Sequence, residues 1–224
     1  MNRYVIFFQL ISGTIVGLLP LLSSGCKNSE FKEKDSRSVI AIQPYGTIQG
    51  RQVDSVAASL SRMYKSRVLI LKSAELPASS YVMIKSPRYR ADVLIRLLKT
   101  QKPDTIDFIL GLTNMDISTS KRDALGRIKT PESRYKDWGV FGLGYRPGVA
   151  CIISTFRLKH SSEKIFIGRL QKVALHEIGH NYGLPHCKTE SCVMQDAVET
   201  IKTIDKVNPQ LCLKCAKKIG LSVE

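Results

Sequence analysis

The spacing of apolar residues changes repeatedly along this chain, and each change marks an element. Tyr4 to Leu22 form an apolar run behind Arg3, but Gln9, Ser12, Gly13, Thr14 and Pro20 interrupt it. A free-standing membrane helix needs about 20 strongly apolar residues, whereas an export signal needs a core of only about 7–15. The run fits the second better. Lys27 to Ser38 is polar and without period, and reads as a solvated tether. From Val39 the pattern becomes that of a folded domain. Val39 to Pro44 is a short run with β-branched residues, which predicts a strand. Gln52 to Lys65 places Val53, Val56, Ala57, Leu60 and Tyr64 at helical spacing. A strand over Val68–Leu71, a helix over Ala91–Lys99 and a strand over Ile106–Leu112 follow. This β-α-β-α-β order predicts mostly parallel strands joined by crossover helices. Ser118 to Asp137 is polar and reads as a long surface loop. Trp138–Gly144 and Val149–Phe156 are two further strands, joined by a turn at Arg146-Pro147-Gly148. A long helix over Lys164–Tyr182 and a short last one over Pro209–Ile219 complete the pattern. The fold class is α/β (α+β), with a mixed, mostly parallel twisted sheet.

Composition narrows the class. The chain has 224 residues, 43% hydrophobic and 24% charged, which excludes a wholly disordered chain, a collagen-like repeat and a polytopic membrane protein. The net charge is +15, and residues 161–224 hold nine basic against seven acidic side chains, so most of the excess lies upstream. Such a basic face suits anionic lipid headgroups or surface polymers, or is simply a solvated surface. No nucleic-acid motif accompanies it.

At the N-terminus, Ser23-Ser24-Gly25-Cys26 puts small residues directly before a cysteine. This resembles the lipobox of bacterial lipoproteins, although Ser23 stands where Leu is preferred. The resemblance implies a signal peptide over 1–25, lipidation of Cys26, a tether over 26–38 and attachment to the cell envelope. An uncleaved anchor and an ordinary cleaved signal are the alternatives, and all three put the domain outside the cytoplasm.

The chemistry is concentrated in HEIGHNYGLPHC, from His176 to Cys187. His176 and His180 are four apart on a predicted helix and therefore share one face. That spacing lets two imidazoles hold one Zn²⁺, with Glu177 beside them as a general base that does not ligate. Gly183 allows the chain to swing off the helix, Pro185 prevents its resumption, and His186 returns as a third ligand. Three protein ligands leave a fourth position open, as catalytic zinc sites do. Cys187, Cys192, Cys212 and Cys215 follow, the last two as C-x-x-C. Four such cysteines suit a closed structural zinc site, and export to an oxidising space suits two disulfides instead. Cys151 lies within an apolar strand and reads as a buried core thiol.

The whole pattern, H-E-x-x-H-x-x-G-x-x-H-C-x4-C-x-M-x17-C-x-x-C over residues 176–215, resembles the archaemetzincin family of metzincin zinc metallopeptidases. The resemblance implies a metzincin-like fold. An upper subdomain over 39–183 would carry the active-site helix, and a small C-terminal subdomain over 184–224 would carry the Met-turn. It implies a catalytic zinc on His176, His180 and His186, with Glu177 as base. It also implies Met194 packed beneath the metal, and a second, structural zinc on the four cysteines. Substrates would be peptides or proteins; the resemblance implies an aminopeptidase, but the sequence offers no evident acid for a substrate amine, so exopeptidase against endopeptidase stays open. A monomer is expected. The glycine-rich strand Trp138–Gly144 suits main-chain pairing with an extended substrate, or is a plain edge strand. The rival functions are a non-catalytic zinc-containing surface lipoprotein that binds a ligand, and a zinc amidase. Glu177 argues against the first, since a scaffold needs no base.

Overall fold

A computed structural model describes residues 37–196 and 200–221. The expected signal peptide, Cys26 and nearly all of the expected tether lie outside them. The strands are β1 (Val39–Tyr45), β2 (Arg67–Ile70), β3 (Tyr81–Met83), β4 (Pro87–Arg90), β5 (Phe108–Thr113), β6 (Ile117–Thr119), β7 (Trp138–Val140), β8 (Gly142–Gly144) and β9 (Ala150–Ser154). The helices are α1 (Gly50–Tyr64), α2 (Ala91–Gln101), α3 (Glu132–Tyr135), α4 (Glu163–Asn181), α5 (Ile201–Lys206) and α6 (Leu213–Lys218).

Successive residues of β1 are buried on opposite faces. Ile40 and Ile42 join a core formed with α1 and α4, while Ala41 joins one formed with α2. β5 and β9 divide in the same way: Leu110, Leu112, Cys151 and Ile153 face the first core, and Ile109 and Ile152 the second. Such two-sided burial is why these strands read as continuous apolar runs. The sheet order is β2-β1-β5-β9-β8, with parallel pairing up to β9 and an antiparallel edge strand β8. This is the mostly parallel sheet with crossover helices that the pattern predicts.

A second sheet, β3-β4-β6-β7, corrects the expected loop over 118–137 and the expected single strand over 138–144. β6 and α3 fall in the supposed loop. The strand breaks at Phe141, so that β7 pairs with β6 and β8 pairs with β9. Much of what ties this sheet together is charge rather than apolar period. Arg88 on β4 donates to Asp116 at 2.8 Å and to Asp137 at 2.9 Å, and Arg157 grips Asp116 with two bonds of 2.7 Å. Asp116 and Asp137 are buried, so each needs those partners.

Two further corrections lie near the C-terminus. α5 was not expected. Thr200 caps it by accepting a hydrogen bond from the Lys202 N–H at 3.1 Å. The last helix starts at Leu213 rather than Pro209, because Cys212 is drawn to the other cysteines as its N-cap residue.

Candidate active site

α4 carries the first two histidines on one face, with ring centroids 4.6 Å apart. The helix then ends in a Schellman closure. The Leu184 N–H donates to Gly179 O at 3.0 Å and the Gly183 N–H to His180 O at 2.8 Å. Gly183 has φ +92°, a backbone conformation that a Cβ would strain. This turn brings His186 back, its ring centroid 5.3 Å from His176 and 4.9 Å from His180.

Each ring is oriented from behind. His176 Nδ1 lies 2.8 Å from Val193 O, and His180 Nδ1 lies 2.8 Å from Leu184 O. His186 Nδ1 is 3.4 Å from an Asp196 carboxylate oxygen. A carbonyl oxygen only accepts, so Nδ1 of His176 and of His180 carries the proton and Nε2 keeps its lone pair for a metal. One candidate ligand atom from each of the three residues lies within 4.8 Å of the others. Burial, together with neighbouring His180, holds His176 down to about 3, so it stays a neutral ligand at ordinary pH. The donor set fits a zinc ion.

Glu177 is buried beneath β8, and burial pushes its carboxyl up to about 8 against a hydrogen bond from the Gly144 N–H. β8 has room for it only because it lacks side chains there. A Cβ on Gly142 would stand 2.8 Å from Glu177 Cγ and Oε1, and one on Gly144 would stand 2.8 Å from Glu177 O. Met194 is fully buried against the same helix, its sulfur 2.4 Å from where a Cβ on Gly179 would be.

A cavity of about 300 Å³ opens between β8 and the segments after Cys192. Val140, Leu143, Val173, Val193, Ile204 and Val207 give it apolar walls, and Lys121 and Lys172 add positive charge. Lys172 Nζ donates to Ile204 O at 2.9 Å and to Asp205 O at 3.2 Å, holding α5 as one wall. β8 is the last strand of its sheet order, so among the described residues no strand pairs with its outer side.

The four cysteines form a second cluster behind His186. Their sulfurs lie within 4.8 Å of one another, and Cys187 Sγ is 3.8 Å from Cys212 Sγ. A tetrahedron with Zn–S bonds of ~2.3 Å has sulfur–sulfur edges of ~3.8 Å, whereas a disulfide needs ~2.05 Å. All four are free thiols. Burial raises the Cys212 thiol, but hydrogen bonds from Cys215, Cys187 and Cys192 outweigh it and bring it to about 6. Burial and the neighbouring sulfurs hold Cys215 far above its ordinary value. Thiols in contact that cannot all ionise unaided are a set suited to a cation.

The model of Peptidase family M54 matches residues 40–220. The chain belongs to peptidase family M54. The archaemetzincin of Halobacterium salinarum is 26% identical over 189 residues, covering 80% of this chain and 98% of that protein. The archaemetzincin of Archaeoglobus fulgidus is 27% identical over 180 residues, with the same coverage. Among solved structures, archaemetzincin from Methanopyrus kandleri superposes with a TM-score of 0.67 at 25% identity, over 83% of this chain and 95% of that one. The A. fulgidus protein, crystallised with malonate, gives 0.63 at 27% identity, over 80% and 99%. This M54 chain is thus a zinc metallopeptidase of the archaemetzincin type.

The structure of this M54 peptidase brings together His176, Glu177, His180, His186 and Met194 at one centre, and Cys187, Cys192, Cys212 and Cys215 at another. Cys151 is fully buried in the core. Sequence reasoning missed Lys172, although it lies one turn before His176 on the same helix face, where the i, i+4 rule finds it. It also missed Lys121 and Arg146, which no local pattern marks because separate strands bring them to the site.

Proposed function

We propose that His176, His180 and His186 hold one catalytic zinc and that Glu177 serves the hydrolysis of peptide bonds as general base and acid. The observation that carries this reading is the pairing of two back-bonded imidazoles and His186 with a buried carboxylate, set against β8, one residue along the same helix. A zinc bound there supplies an electrophile for the scissile carbonyl and acidifies water. Glu177 takes the proton of the attacking water on its carboxylate and passes it to the leaving amine. The outer side of β8 pairs an extended substrate through its main chain, and the apolar cavity takes one of its side chains.

The walls of the cavity favour cleavage within a peptide over an aminopeptidase. Among the described residues lining it, Glu177 is the only acid, and the walls are mainly apolar. The four cysteines are proposed to hold a structural zinc that fixes the segment bearing His186 and Met194. Cys26 is proposed to carry lipid that ties the enzyme to the cell envelope.

Metal analysis of protein purified without chelator should give about two zincs per chain. Glu177→Gln should keep both and lose about 10²–10⁴-fold in hydrolysis of a peptide library. Cleavage unchanged in Glu177→Gln, or no zinc-dependent cleavage by the wild type, would overturn the reading. Labelling with a radioactive fatty acid should mark the wild type and not Cys26→Ala, and equal labelling removes the lipid anchor.

A further inference from the structure

The turn between β8 and β9 is fixed to the zinc helix directly after its second ligand. Asn181, which is buried, donates from Nδ2 to Tyr145 O at 3.1 Å and to Ala150 O at 3.2 Å, and the Gly148 N–H donates to Asn181 O at 3.2 Å. Gly148 is required at this approach, since a Cβ there would stand 2.6 Å from Tyr145 O and 2.9 Å from Asn181 Nδ2. The turn therefore fixes the backbone of its one arginine, whose side chain is exposed. Arg146 lines an open cavity of about 420 Å³ with Gly144, His180, Pro185 and His186. Gly144, His180 and His186 also line the apolar cavity, so the two meet at the histidine centre.

Arg146 makes no ion pair and no side-chain hydrogen bond with any described residue. Among the described residues, the charged lining of the two cavities is Lys121, Lys172 and Arg146 against Glu177, with the Asp196 carboxylate 3.4 Å from His186. A guanidinium with no partner among the described residues, carried on a pinned turn beside the histidine centre, offers a planar fork of donors that matches a carboxylate. The net charge of +15 adds a field that draws acidic ligands.

We propose that Arg146 is a specificity residue that binds a carboxylate of the peptide substrate, so that the enzyme favours peptides with Asp or Glu close to the bond it cuts. The proposal rests on the peptidase reading above. The carboxylate comes either from an acidic side chain or from the free C-terminus of the substrate, and the two are separable.

The test uses full-length, zinc-loaded Glu177→Gln protein, which binds without turnover, and titration calorimetry. One series of peptide amides carries a single Glu at successive positions, and its twin carries Gln. One position should bind about 10-fold more tightly as Glu than as Gln, a charge-assisted hydrogen bond partly exposed to solvent. Adding Arg146→Gln should bring that ratio to near one, and Arg146→Glu should reverse it in favour of a Lys peptide, which a merely structural role would not do. A gain seen only when the amide is replaced by a free acid assigns the carboxylate to the terminus. Equal binding of Glu, Gln and free-acid peptides, or a preference that survives Arg146→Gln, overturns the proposal. Failure of the wild type to hydrolyse any of these peptides instead sinks the peptidase reading, while the binding ratio still tests Arg146.

Discussion

Replacing Gly142 by alanine tests how closely the sheet edge sets the position of Glu177, the proposed general base. The backbone of Gly142 does not need glycine, as its φ lies outside the left-handed region, so the substitution acts through its methyl group alone. That carbon would stand 2.8 Å from Glu177 Cγ and Oε1. Carbon atoms in contact prefer about 3.5–4.0 Å, so one side must retreat by roughly 0.7 Å or more. Glu177 is only 8% exposed and is held between its own helix and β8, which leaves it little room to turn. Overpacking of this kind costs about 1–3 kcal/mol of stability, and a misplacement near 1 Å costs on the order of 10²-fold in rate. The expected Gly142→Ala protein folds, keeps zinc on the three histidines and loses about 100-fold in kcat/KM. Thermal unfolding, metal analysis and peptide hydrolysis measured on one preparation separate these effects. Activity within threefold of wild type, with both zincs bound, would refute the idea that β8 positions the carboxylate. Loss of zinc would refute it too, because the methyl group would then have reached the ligands.

Three other outcomes are expected. In metal-stripped protein the carboxyl of Glu177 binds its proton up to about pH 8, whereas the unfolded chain releases it near 4.5, so the native state loses stability from this group as pH rises through that window. The Tm of Glu177→Gln should therefore gain on that of wild type between pH 5 and 8 in excess chelator, and a constant difference would show that burial does not raise the carboxyl. Cys212→Ser should leave one zinc per chain and a lower Tm while the histidine centre still binds metal, and two zincs in that variant would exclude a four-cysteine site. Arg169→Met removes two bonds of 2.7 Å to Asp205, which help hold α5 against the zinc helix. It should cost about 2 kcal/mol in urea unfolding and raise KM more than it lowers kcat, and an unchanged KM would separate α5 from substrate binding.

The chain's one-dimensional pattern determined those parts whose physics is local or strictly periodic. β1, β5 and β9 are buried on both faces and so stand out as apolar runs. α4 is displaced by only one residue from its expected bounds, because glutamate opens its first turn and glycine stands just past its end. The candidate metal ligands are legible because a helix repeats every 3.6 residues and one glycine suffices to return the chain to the same point. Tertiary structure alone decided the rest. The second sheet has strands of three or four residues, too short to show a period, and Arg88, Asp116, Asp137 and Arg157 hold it through pairings that span up to 49 residues. The strand over 138–144 divides because its two halves find partners in different sheets, a choice that depends on β6 and β9 being already in place. The glycines of that strand look alike in sequence, yet Gly139 lies under the Arg157 guanidinium while Gly142 and Gly144 make room for Glu177. Lys172 and Arg146 flank the metal centre because α4 and the β8–β9 turn converge there, and convergence of distant segments leaves no mark on either segment by itself.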